Sequence, residues 1–80
     1  MLQPRILEVF PLDNYDLLLT FENNEKKIFD VKPYISGEWF GKLQNPDYFK
    51  RVRVSGNTVE WVDGQDIAPH ELYDNSRPVN

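Results

Sequence analysis

The sequence predicts a small α+β domain, and three observations carry that prediction. Clean apolar–polar alternation runs from Tyr15 to Phe21, the period of a half-buried antiparallel strand. Proline and glycine then break the β pattern between Lys32 and Lys50, where helix-start signals appear. Finally, Trp61 leads into an Asp63-Gly64 turn and a proline-started helical turn. In order, the elements read β-β-β-α-β-β-α: a three-stranded antiparallel meander, a short helical segment, a β-hairpin and a short C-terminal helical turn. The 80 residues make one domain. Its ordered core is expected over about 4–74, with a polar tail over 75–80.

The first strand spans Arg5 to Leu12. Ile6-Leu7 and Val9-Phe10 place apolar groups on both faces, so alternation leaves its register open. Pro11 suits an edge strand, where a missing ladder N–H is tolerated. Asp13-Asn14 is a turn. The second strand, Tyr15 to Phe21, sets Tyr15, Leu17, Leu19 and Phe21 on one face, with Asp16, Leu18 and Thr20 on the other. Asn23-Asn24 turns the chain into a third strand, Lys26 to Val31, because Asn tolerates the left-handed backbone of a tight hairpin.

Pro33 opens a helical turn through Tyr34-Ile35, with Asp30 as its expected cap and Ser36-Gly37 as its end. Asn45-Pro46-Asp47 is the stronger helix start: a capping Asn, a proline at the first position, and an acid at the positive end of the dipole. Trp39, Phe40, Leu43, Tyr48 and Phe49 supply this segment's share of the core. Arg51–Ser55 and Thr58–Val62 form a hairpin around Gly56-Asn57. A two-residue loop sets Val54 opposite Val59, Arg53 opposite Glu60 and Val52 opposite Trp61. One side of the hairpin is therefore apolar, carries Trp61, and is expected to pack under the helical segment. Pro69 starts the last helical turn, with Glu71 placed to reach back to the Ala68 N–H; Ala68 offers no capping oxygen, so this helix is short.

Composition excludes several function classes. There is no cysteine, hence no disulfide framework or thiolate metal site, which fits a reducing cytoplasm. The longest apolar run is Leu17-Leu18-Leu19, far below the ~18 residues of a membrane span. Met1-Leu2-Gln3-Pro4-Arg5 lacks the long apolar stretch of a secretion signal. Thirteen acidic residues against nine basic ones leave a net charge of −4, a poor balance for binding phosphates. The basic cluster Lys50-Arg51-Val52-Arg53 reads as a helix end running into a strand with solvated charges.

No catalytic constellation emerges. His70 is the one histidine, early in an exposed helical turn and without a cysteine or serine partner. Asp63, Asp66 and Glu71 come nearest to an acidic cluster, but turn and cap roles account for each, and the spacing matches no calcium loop. The expectation is no enzyme, no metal and no cofactor. The aromatic load is high, with two Trp, four Tyr and five Phe. A domain this small buries most of them and leaves some at the surface, where apolar patches mark partner sites.

Leu17 to Phe21, Phe29-Asp30-Val31 ahead of Pro33, and the ending Trp61…Asp63-Gly64…Asp66-Ile67…Pro69…Leu72-Tyr73 resemble a small bacterial family. It is catalogued as the domain of unknown function 2442 family. Asn24 stands where the family usually has glycine, and Val62 where proline is common. The resemblance implies the same α+β order and a partner encoded nearby in a toxin–antitoxin-like pair. Together these readings point to a cytoplasmic, non-enzymatic protein-binding module; the alternative is a nucleic-acid-linked regulator using Lys26, Lys27, Lys50, Arg51 and Arg53. The expected partner surface comprises Phe10, Trp39, Phe40, Trp61, Asp63, Asp66 and Tyr73. The expected partner is a small neighbour-encoded protein, and a homodimer is compatible with that reading.

Overall fold

The computed structural model describes residues 4–79, with the side chains of Glu38 and Trp39 outside the described set. The strands are β1 (Ile6–Pro11), β2 (Asp16–Phe21), β3 (Lys26–Asp30), β4 (Arg53–Ser55), β5 (Thr58–Glu60) and β6 (Arg77–Pro78). Three short helices, α1 (Gly37–Phe40), α2 (Pro46–Phe49) and α3 (Pro69–Asp74), join 3-10 turns at Asp13–Tyr15, Lys32–Tyr34 and Gly41–Gln44. The architecture is α+β, as the sequence predicts.

β1, β2 and β3 form the expected antiparallel meander, and β6 extends it to the order β1-β2-β3-β6. That last strand corrects the expectation of a loose tail from residue 75. Arg77 and Pro78 pair with Ile28 and Lys27, and the Ser76 hydroxyl, itself buried, donates to the Tyr73 carbonyl at 2.8 Å. Backbone bonding to β3, which composition does not encode, holds this polar stretch in place.

The open register of β1 also resolves. A bulge between Ile6 and Glu8 sets two residues of β1 against one of β2, leaving Leu7 as the extra one. Ile6 and Val9 then both fall on the inner face, while Leu7 and Phe10 project away from it. At the next turn Asn14 and Tyr15 both take positive φ, and at the following hairpin Asn24 does the same at +69°. Asparagine thus replaces glycine there as the turn requires.

Leu17, Leu19, Phe21 and Phe29 line the inner face, and Leu43, Phe49, Val59, Trp61, Ile67 and Leu72 pack on it as one core. Alternation in β2 and β3 drives this, and the helical segment and hairpin supply the covering layer. Asn45 caps α2 by accepting from the Asp47 N–H at 2.9 Å. Asp30 accepts from the Lys32 N–H at 2.9 Å, capping the turn after β3. The hairpin has the expected register, Val54 opposite Val59 and Arg53 opposite Glu60, with the latter pair ion-bonded at 2.9 Å. Trp61 packs under the helical segment, its Nε1–H donating to the Phe49 carbonyl at 2.9 Å. Glu71 departs from expectation: it accepts from the Tyr34 hydroxyl at 3.3 Å, and α3 begins without a side-chain cap. Among the described residues no helix is long and apolar enough to cross a membrane.

Candidate interaction surface

Because side chains alternate along a strand, the rows that do not enter the core share the opposite face of the sheet. The central outer row runs Phe10–Leu18–Ile28–Arg77 across the strands. Glu8, Thr20 and Lys26 lie on one side of it, Asp16 and Asp30 on the other. Phe10 is 63% exposed, and Leu18 and Ile28 are half-buried. The face is therefore an apolar stripe between charged margins. A shallow groove of about 400 Å³ extends it past β1 to Val52, Arg53 and Val54, with Phe10, Leu18, Thr20 and Lys26 along the sheet.

The edges of this sheet are closed by chemistry. The Leu12 N–H donates to the Asp16 carbonyl at 2.8 Å, which makes that a hydrogen-bonded pair. By antiparallel alternation Pro11, paired with Leu17, turns its nitrogen away from β2, toward the free edge. The same holds on β6. Val79 N–H donates to the Lys26 carbonyl at 2.9 Å, so Pro78 directs its nitrogen outward. Each edge strand thus carries a proline where an incoming strand would need a donor. β1 adds the Leu7 bulge, and β4 runs beside it without a backbone hydrogen bond between them among the described residues. Strand addition is disfavoured on both sides; the open surface is the face.

The residues expected at the partner surface do not form one patch. Phe10 lies on the outer face. Trp61 is a correction: it is fully buried, because the hairpin turns its apolar side into the core. Phe40 is half-buried against that same core. Tyr73 is also half-buried; its hydroxyl donates to Glu25 Oε1 at 2.5 Å and its ring covers the Lys27 ammonium at 3.7 Å. Asp63 and Asp66 sit in the exposed loop before α3, and the side chain of Trp39 is outside the described residues. Leu18 and Ile28 carry the face without having been singled out. The loop between the strands is the three residues Glu22-Asn23-Asn24, closed by the Phe21 N–H donating to the Glu25 carbonyl at 2.9 Å, and it sets Leu18 opposite Ile28; a two-residue turn at Asn23-Asn24 would have set Leu18 opposite Phe29.

The Asp63 loop is a structural polar cluster. Its carboxylate accepts from Lys42 Nζ at 2.8 Å and from the Tyr48 hydroxyl at 2.8 Å. Lys42 foremost, then Tyr48, holds the Asp63 carboxyl below the usual carboxylate range, and Asp63 in return raises Lys42. Asp66 forms a β-bridge with Glu60, and Glu71 meets Tyr34, so the three acids have separate neighbours. Among the described residues no group of three or more His, Cys, Asp or Glu could hold a metal ion. The basic strip is likewise divided: Arg53 pairs with Glu60, and Lys27 is buried with its Nζ donating to the Tyr73 carbonyl at 3.1 Å.

A two-layer α+β domain with one sealed and one open sheet face is the class this geometry defines. The chain belongs to the family described as Protein of unknown function (DUF2442), whose model matches residues 6–78. No curated protein and no solved structure matches it.

Proposed function

We propose that this chain is a non-enzymatic protein-binding module that meets its partner through the outer face of the four-stranded sheet. One observation carries the reading: an apolar row, headed by the 63% exposed Phe10, crosses a face that contributes nothing to the core. Exposed apolar groups rimmed by charges are the usual mark of a protein contact. The partner class follows from the family resemblance, a small protein encoded nearby that this chain serves as an antitoxin-like or regulatory partner. The net charge of −4 favours encounter with a basic partner.

Co-expression with the neighbouring gene tests the reading. The expected result is co-purification at fixed stoichiometry, lost in Phe10→Asp while the fold is kept. No complex, or one indifferent to Phe10→Asp, contradicts it. The nucleic-acid alternative is checked on heparin. Flow-through at low salt is expected, and retention at moderate salt would favour that alternative instead.

A further inference from the structure

We propose that a second copy of this chain covers the outer face, forming a two-fold dimer whose axis lies along the Phe10–Leu18–Ile28 row. The inference rests on the reading of that face as a contact surface, and it names the occupant of the face in the chain on its own, for which the neighbour-encoded protein would compete.

Three features of the face favour a second copy. First, Pro11 and Pro78 close both edges, so association by continuing the sheet is disfavoured and face-to-face packing remains. Second, a chain of net charge −4 should repel its own copy, yet this face is balanced. Its strand residues Glu8, Asp16 and Asp30 are matched by Lys26, Arg77 and the adjoining Lys32, which lies 3.0 Å from Asp30 and 3.8 Å from Asp16. Third, the charges are arranged self-complementarily. Lys26 and Thr20 lie on one side of the apolar row, Asp30 and Asp16 on the other.

A two-fold axis along the row exchanges those margins. Each apolar side chain then meets its own copy, Lys26 of one protomer faces Asp30 of the other, and Thr20 faces Asp16. The contacts on the axis occur once and every off-axis contact occurs twice, as an isologous interface requires. A second copy thus places the Lys26 cation against the Asp30 carboxylate, while Arg77, at the end of the row, lies toward its own copy with its charge met by Asp16 of the same chain at 3.9 Å.

The test is molar mass by light scattering over a concentration series, on the full chain and three variants, with circular dichroism to confirm folding. The wild type is expected to dimerise. Phe10→Asp, altering an exposed side chain, is expected to raise the dimer dissociation constant by at least about tenfold. Lys26→Glu and Asp30→Lys are each expected to weaken self-association, because like charges then face each other twice. Mixed together they are expected to restore a dimer, since Glu at 26 meets Lys at 30 and the native pair is kept on the other side. A monomer throughout overturns the proposal, as does a dimer that Phe10→Asp leaves intact or a mixture that fails to restore association. A monomer that still co-purifies with the neighbouring gene product, through Phe10, overturns the dimer and leaves the protein-binding reading standing. Loss of both sinks both.

Discussion

The two faces of one sheet are built from the same strands by alternate residues, yet they meet opposite environments. On the inner face Leu17, Leu19, Phe21 and Phe29 are covered by Leu43, Phe49, Trp61 and Leu72. On the outer face Phe10, Leu18 and Ile28 occupy equivalent positions one residue along and have no such layer. Apolarity alone therefore does not tell a covered face from an open one. The covering layer does, and it arrives from residues 40–72, distant in sequence from the meander. The inner face also holds Lys27, which would be costly to bury without partners. Its ammonium is satisfied by the Tyr73 carbonyl and ring, so a cation sits on the sealed side while a phenyl ring sits on the open one.

The contrast can be broken most forcefully from inside. Trp61→Ala removes a fully buried indole and leaves the Phe49 carbonyl without that donor. Urea unfolding should show a loss of about 3–5 kcal/mol, a large part of the ~5–15 kcal/mol typical of a folded domain. A loss below about 1 kcal/mol would mean that the covering layer is not what seals this face.

Asn45→Ala comes next. Removing the cap of α2 should cost about 1 kcal/mol in the same assay, because α2 presents Phe49 to the core. Lys27→Met sharpens the comparison differently. It keeps the apolar stem, and the Tyr73 carbonyl still accepts from Ser76, so stability should stay within about 1 kcal/mol of wild type. A much larger loss would show the ammonium, not the stem, holding α3 and β6 to the sheet.

How much of this was legible follows the same division. Local chemistry was readable: the alternation of β2, the Asn45 cap, the Asp63-Gly64 turn with Gly64 at φ +88°, and the Val54–Val59 register. Features set by distant chain were not. The Leu7 bulge uses no glycine, so only pairing with β2 reveals it. β6 is two residues with a proline, and pairing with β3 defines it. The sequence places Trp61 both on the inward-packing side of the hairpin and in the expected partner surface. Phe49, twelve residues earlier, decides it. Of the candidate surface, Phe10 was named from sequence, while Leu18 and Ile28 required the two strands to be set in register.

Smaller effects come from the charged rim. Hydrogen bonds from Lys42 to Asp63, from Tyr73 to Glu25 and from Arg53 to Glu60 each hold a carboxyl below its ordinary value. Their contribution is complete above the ordinary carboxylate range of about 4 and is lost as pH falls through the depressed values. The melting temperature should therefore be flat from about pH 5 to neutrality and decline below about 4. The decline should be shallow, because these groups are solvent-screened. A melting temperature that rises on acidification would contradict the pairing. Smallest of all, Phe10→Asp should change unfolding free energy by no more than about 0.5 kcal/mol, the reverse of Trp61→Ala.

Amide chemical-shift mapping tests the two-face reading most directly, on labelled chain titrated with itself and then with the proposed neighbour-encoded partner. Shifts concentrated at Glu8, Phe10, Leu18, Thr20, Lys26 and Ile28, with the Asp63–Asp66 loop silent, are the expected result. Shifts centred on that loop or on the α1–α2 surface would place the contact on the sealed side and contradict it.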